Sequence, residues 1–514
     1  MLDALRRFVS KPAKKTKSER TKAAQFFDGF RERAIAGGGF HGGQSDRLND
    51  DWKPGTIGPN RMVQMNGQLL RERAWDLYIN NPFANSVIDA MLANVIECGL
   101  LPERDESWEK SWARWGGLTA HSDNDADLTR DQTINELQIT WLREVFVGGG
   151  ALVHYRNLPR RSQEIPLALE IIGEERFAEH VMQAGPNPKT ANPVYNGIEV
   201  DVATGRTVAW HVRKGQPNDL NFDPEEAVRI PVQRGHYSYF KWRANAKRGT
   251  TKLRTVISWL WSIGYYADNE LINSDIKSRW AYMILTDGDS DVEWADLNEH
   301  SESTVDAYGN TLENVQRGSI FRGFPGDQIA PVGPNVPASD CVPWLALMLR
   351  IIAVGAGVSY EEAYRDYTKG SWSSVRAAMS SDKKRFRPLQ EFGINHFGNP
   401  TVRRFDETAV ANYAAGFPSP VTWLTQRDET WDRQEWSAPG WESPNPKDDQ
   451  MANKLGLETG SLTHQEIQGR KGRNWKKHFK QRALEQGTEG YPDPPGQQSG
   501  VNAQQSQEAF DDGE

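Results

Sequence analysis

Cysteine is nearly absent: two in 514 residues, Cys98 and Cys341. That excludes a disulfide framework, and two reduced thiols are expected. The ten histidines are scattered, with no HExxH and no Cys/His cluster, so no metal centre is expected. There is no G-x-x-x-x-G-K-[ST] and no G-x-S-x-G, which removes a phosphate cradle and a nucleophile elbow. Gly148–Gly150 lack dinucleotide-binding spacing and read as a helix terminator. No cofactor and no catalytic residue is expected. Apolar runs are short. The longest, around Trp344 to Val358, is broken by Arg350 and falls below a membrane span of roughly 18 residues. The basic N-terminus carries no apolar signal-peptide core, so no membrane partner is expected. Excess positive charge is also missing. A net charge of -8 argues against a sequence-reading DNA binder, but not against a protein that passes DNA without gripping it.

What is present is length, enough for two or three domains, and 19 tryptophans, which suit large interfaces and large cores alike. Residues 1–55 form a basic, then Gly-rich, arm with Lys11, Lys14, Lys15, Lys17, Arg20 and Lys22 and the run GGGFHGG. Two helices follow, split at Asn80-Asn81-Pro82, because a residue before proline avoids the helical basin. Trp108, Trp112 and Trp115 lie at helical spacing, and Leu128 to Phe146 reads as a helix capped by Thr129. The segments 151–156, 167–172, 196–201, 207–213 and 230–240 then read as strands, so the fold class is α+β, mostly helical.

A long helix is expected from Thr251 to Trp280, about 45 Å at 1.5 Å per residue, with Asp268 and Asp275 on nearly one face. From Asp287 to Glu313 there are nine carboxylates and no Lys or Arg. This acidic run raises the alternative of a carboxylate-dependent hydrolase, although it has no fixed ligand spacing. A second apolar helix runs from Ser339 to about Ala356 and stops at Gly355 and Gly357. A polar Tyr-rich loop and a basic helix, breaking near Pro388, come next. Residues 400–435 read as short Trp-rich elements, and residues beyond Gly487 read as a polar tail.

The stretch AVGAGVSYEEAYRDYTKGSWSSVRAAM (353–379) resembles a signature of the lambda-family portal proteins of tailed bacteriophages. Gly355, Gly357, Val358, Tyr360, Glu361, Asp366, Tyr367, Ser373, Ser374 and Arg376 match it, while Trp372 stands where Tyr is usual. RAWDLYINNPFANSVIDAMLANVIECG (73–99), NGIEVDVATGRTVAWHVR (196–213) and, more loosely, NAKRGTTKL (245–253, lacking the usual Gln) follow in the family's order. The resemblance spans about residues 60 to 490. It implies a ring, a homo-oligomer of typically twelve copies, at one capsid vertex of the virion. Double-stranded DNA passes through its channel, and it has no nucleotidase of its own.

The implied fold has wing, stem, clip and crown. The wing would be 56–250 and 373–435, the stem helices 251–280 and 339–357, the acidic clip 281–338, the tunnel loop 358–372 and the crown 436–490, with a tail at 491–514. Tyr360, Arg365, Lys369 and Trp372 would serve the tunnel loop. Asp268 and Asp275 would face the channel, and Gly355 and Gly357 would form a hinge. Asp291, Glu293 and Asp296 on the clip would bind terminase and then a head–tail adaptor. Assembly in the host cytoplasm with major capsid and scaffold protein, nucleating the procapsid, completes the implied role. A secreted or membrane pore-forming ring is the third class, and it would need a signal or membrane hairpin that is not apparent.

Overall fold

The computed structural model describes residues 55–158, 164–184, 192–216, 226–285, 303–305, 311–313, 319–323, 341–368, 371–441, 446–471 and 475–486. The expected arm and tail lie outside them, apart from the arm's last residue and the few before Pro59. From Pro59 onward the chain is one unit rather than several.

The break at Asn81 separates α1 (Pro59–Asn80) from α2 (Pro82–Val95). The Asn81 carboxamide oxygen accepts from the amides of Phe83 and Ala84 at 2.9 and 3.2 Å, which satisfies two of the donors that a helix start leaves open. Proline at the first position of α2 has no amide to satisfy. A short β1 (Leu101–Glu103) precedes α3 (Glu106–Trp115), whose Trp108, Trp112 and Trp115 are all buried and packed around Phe405. The helix expected from Leu128 is shorter. α4 spans Ile134–Arg143 and is capped by Thr133 in a reciprocal box with Glu136. Thr129 instead donates to Asp127, whose carboxylate takes the amides of Asp131 and Gln132, so the local side-chain turn outcompetes helix there. A π-helical turn, Glu144–Gly148, ends this element, with Gly149 left-handed after it.

Two antiparallel sheets follow. β2 (Gly150–Asn157) lies between β3 (Leu167–Gly173) and β9 (Gly235–Tyr239). The second sheet is a meander, β4 (Gln183–Ala184), β5 (Asn192–Tyr195), β6 (Ile198–Val200), β7 (Thr207–Arg213) and β8 (Ala227–Pro231), with β8 at its edge. Leu152, Ile172, Phe177, Ile198, Trp210 and Ile230 form a small core of their own here.

Thr251 caps a 3-10 turn, Lys252–Thr255, rather than the long helix; α5 itself is Ile257–Arg279, about 35 Å long. β10 (Trp280–Leu285) pairs in parallel with β13 (Ser319–Gly323), and β11 (Ser303–Val305) pairs antiparallel with β12 (Thr311–Glu313). α6 (Cys341–Ala356) then runs alongside α5. A short helix, α7 (Tyr360–Tyr364), lies within the stretch read as loop. α8 (Trp372–Gly393) passes through Pro388 without a break and continues through a π-helical turn, Ile394–Gly398, into α9 (Asn399–Ala411). The remainder is α10 (Pro420–Asp432), β14 (Glu435–Ser437) paired with β1, α11 (Pro446–Glu458), α12 (His464–Arg470) and α13 (Trp475–Gln486).

The main core gathers α1–α4, the first turns of α5, the end of α6, α7, α8 and α9. Two buried ionic knots tie it. Asp406, with no exposed surface, accepts from Trp108 Nε1 at 2.7 Å, Arg104 Nη1 at 2.8 Å and Trp431 Nε1 at 3.0 Å. Arg248, from the loosely matched 245–253 segment, is buried against Glu174 at 3.0 Å and Glu179 at 2.6 Å, and Arg71 joins Glu174 at 3.0 Å. Buried charges survive only when paired and hydrogen-bonded in this way.

Candidate functional site: the helix hairpin and its connection to the core

α5 and α6 form a hairpin whose root is buried and whose length is not. Leu253, Val256, Leu260 and Ile263 on one strand of the root, and Leu349, Ile352 and Ala353 on the other, belong to the core. Other apolar side chains of the two helices face solvent, some on the outer face of the root and some farther along. Trp259, Trp261, Tyr265, Leu271 and Ile272 on α5 are exposed, Trp261 by 62% and Leu271 by 70%. α6 exposes Val342, Trp344, Leu347, Ile351 and Val354. Part of the stripe that reads as core in the sequence is therefore left uncovered among the described residues. Asp268 is exposed on α5, while Asp275 is half-buried and engaged in a contact of its own.

The two glycines play different parts. Gly355 lies inside α6, where an added Cβ would stand 2.5 Å from Val256 Cγ1. Thr255 Oγ1 donates to the Gly355 carbonyl at 3.0 Å, so the end of α6 is held close against the turn that leads into α5. Gly357 ends α6 at φ +91°, with its amide and that of Val358 both returning to the Ala353 carbonyl at 2.9 and 3.0 Å. That left-handed terminator favours glycine.

The segment after Gly357 is anchored before it is free. Ser359 caps α7 by accepting the Glu362 amide at 3.2 Å, and its own amide donates to the buried Asp382 of α8 at 3.3 Å. Ser86 of α2 donates to the Ala363 carbonyl, and Asn94 of α2 donates to Glu362 at 2.5 Å. Tyr364 packs edge-on against Phe83. Tyr360 donates to Asp366 at 2.7 Å and lies under the Arg350 guanidinium at 5.1 Å; burial and the Asp366 carboxylate push its phenol up to about 12. Ser359-x-x-Glu362 is a capping signature, so the signal for α7 stood in the sequence and was passed over. Arg365 is exposed in the left-handed conformation immediately after α7, and Tyr367 is exposed beside it. Of the predicted positions, the structure brings Tyr360, Arg365, Gly355 and Gly357 to one end of the hairpin, with Asp268 farther along α5. Trp372 opens α8. Lys369, Asp291, Glu293 and Asp296 lie outside the described residues.

Ser86 and Asn94 were not singled out from the sequence, because their roles depend on contacts with segments far away in the chain, and Arg350 reaches Tyr360 only because the chain turns back after Gly357. Both cysteines are free; Cys98 is exposed, and Tyr266 lies 3.5 Å from the Cys341 sulfur.

The family description "Phage portal protein, lambda family" matches residues 45–390. The probable portal protein of Halomonas phage phiHAP-1 is 24% identical over 454 residues, covering 83% of this chain and 82% of that protein. The portal protein of Escherichia phage N15 is 24% identical over 251 residues, 46% of this chain and 47% of its own length. Among solved structures, the neck of a native gene transfer agent particle computed with C12 symmetry overlaps 72% of this chain and 88% of that one, at 11% identity and a TM-score of 0.35. At that score we build nothing on the likeness. A family match across two-thirds of the sequence decides the matter: the chain belongs to the lambda family of phage portal proteins and is a portal protein of a tailed phage.

Proposed function

We propose that copies of this chain close into a ring, of twelve by the family's habit, whose channel carries double-stranded DNA into and out of the phage head. The observation that carries this reading is the uncovered apolar surface on both α5 and α6. An apolar patch of this extent on a single chain marks an interface, and a patch repeated on every copy is closed off by rotational symmetry. In this reading α5 and α6 are the stem, the β10–β13 region is the clip, α1–α4, the sheets, α8 and α9 are the wing, and α11–α13 are the crown. Asp268 and Asp275 line the bore and keep the duplex from adhering.

The moving part of the tunnel loop is then shorter than 358–372. Because α7 is tied to α2, the segment that responds to DNA begins at Arg365, with Lys369 as its second cation, and Gly357 is the pivot of the hinge. Gly355 holds the two stem helices in register. The acidic segment with Asp291, Glu293 and Asp296 docks terminase and later the head–tail adaptor through charge steering. The ring sits in the virion, at the portal vertex, after assembly in the host cytoplasm with scaffold and major capsid protein. The family is structural rather than enzymatic, and we assign the chain no catalysis.

Negative-stain imaging of the purified chain tests this reading. Rings with a central hole are expected. Monomers alone under assembly conditions would contradict it.

A further inference from the structure

A cleft of about 660 Å³ opens between β2, β8, the turn Val232–Arg234 and α9. Arg156, Lys214, Arg229, Arg234, Arg404 and His154 line it, and among the described residues no carboxylate is part of its lining. Lys214 is paired with Glu226 outside the lining, and the lining cations still outnumber the carboxylates that anchor them, a local excess of positive charge in a chain of net charge -8.

Three of the four arginines, Arg156, Arg229 and Arg404, are held in place from behind. Buried Glu199 accepts from Arg229 Nε at 2.7 Å and Nη2 at 3.1 Å, and it also faces His211 at 3.2 Å. Glu170 takes Arg156 at 3.2 Å, Arg176 at 3.0 Å and His154 at 3.1 Å. The Arg404 guanidinium lies over the Tyr155 ring at 5.8 Å and reaches Glu407 at 2.8 Å. A guanidinium has five N–H donors, so each of these arginines keeps donors for a ligand after its anchor is satisfied. Side chains fixed in advance lose less entropy when a ligand arrives.

A second, independent feature lies at the same place. β8 ends its sheet: β7 pairs with one edge, and among the described residues nothing pairs with the other. Val228, Arg229, Ile230 and Pro231 of that strand all line the cleft. A free strand edge presents alternating N–H and C=O groups, a ready template for one more strand.

We propose that this cleft docks an extended acidic peptide segment of a partner protein, which adds as a strand along the free edge of β8 and directs its carboxylates at Arg156, Arg229, Arg234 and Arg404. A polypeptide fits both features. It brings donors and acceptors for the strand edge, and alternate side chains for the cations. A nucleic-acid backbone offers only acceptors to the edge, and a duplex is too broad to be held by cations on several walls of a cleft this size.

The test is fluorescence anisotropy with a fluorescein-labelled octapeptide of alternating Glu and Val, titrated with the full chain. Saturable, salt-sensitive binding is expected. The Arg156→Glu/Arg234→Glu double variant should weaken it by about 30-fold, since charge-assisted contacts at the half-buried Arg156 and the exposed Arg234 are reversed. Arg156→Lys/Arg234→Lys should keep most of it. On the native chain, N-methylating one alternate set of peptide amides should abolish binding while methylating the other set leaves it intact, because only every second amide of a strand faces its neighbour. This arm carries the test if the charge-reversed variant melts early. No binding, equal binding by both methylated peptides, or tighter binding of a twelve-nucleotide single-stranded DNA lost in the same variant would each overturn the proposal.

Discussion

The region around Asp406 and the outer length of the α5–α6 hairpin use the same residue types in opposite ways. Around Asp406, tryptophans are buried, stacked and hydrogen-bonded within one chain: Trp108 and Trp431 both donate to the same carboxylate. Along the hairpin, Trp259, Trp261 and Trp344 face solvent. One region is finished by its own chain, while the other is left uncovered among the described residues. Apolar spacing in a sequence shows that a face will be covered; it does not show by which molecule.

The contrast can be broken most forcefully at Asp406. Asp406→Ala leaves Arg104 buried without its partner and two indole N–H groups unsatisfied. It should cost about 3–5 kcal/mol, read by urea denaturation. A loss under 1 kcal/mol would mean that the knot is dispensable.

Next comes the join between the β2–β9 sheet and α8–α9, where His236 Nε2 lies 3.3 Å from His396 Nδ1. Burial, with His396 adding to it, holds His236 down to about 4. A base with a lowered folded pKa binds more protons when unfolded. Its stabilising contribution is therefore present above about 6.5 and is lost as pH falls from there to about 4, by up to about 3 kcal/mol. Glu144 has the opposite sign, since burial and Glu175 raise it to about 8, so stability drawn from it falls as pH rises. The difference between parent and His236→Phe isolates the histidine: the acid-side loss should shrink in the variant, and identical pH profiles would remove the claim.

A smaller effect is expected at the hairpin root. Gly355→Val drives a side chain into Val256 and should destabilise by about 1–3 kcal/mol in thermal melts. An unchanged melt would show that the two helices separate freely there. The smallest effect on stability belongs to the outer hairpin, where Trp261→Ser and Leu271→Ser should leave the melt of the single chain within about 0.5 kcal/mol.

The same contrast explains what could be read in advance. The split at Asn81, the Trp108–Trp112–Trp115 face and the two helices of the hairpin were visible because caps, prolines and periodicity act within a few residues, while their pairing followed from the family resemblance. Asp406 was not, because its donors Arg104 and Trp108 come from about 300 positions away. The same holds for the anchoring of α7, which rests on Ser86 and Asn94, and for the burial of Arg248. The π-helical turns at Glu144–Gly148 and Ile394–Gly398 have no residue-level signature that marks them in advance. Lambda-family membership was readable from residues 353–379, whereas the packing role of Gly355 needed Val256 in view.

The central claim is that the uncovered hairpin face is completed by other copies of the chain. Negative-stain imaging of the Trp261→Ser/Leu271→Ser/Val354→Ser variant, with circular dichroism to confirm its fold, tests it most directly. The account predicts folded chains that no longer form rings. Rings as abundant as those of the parent would contradict it.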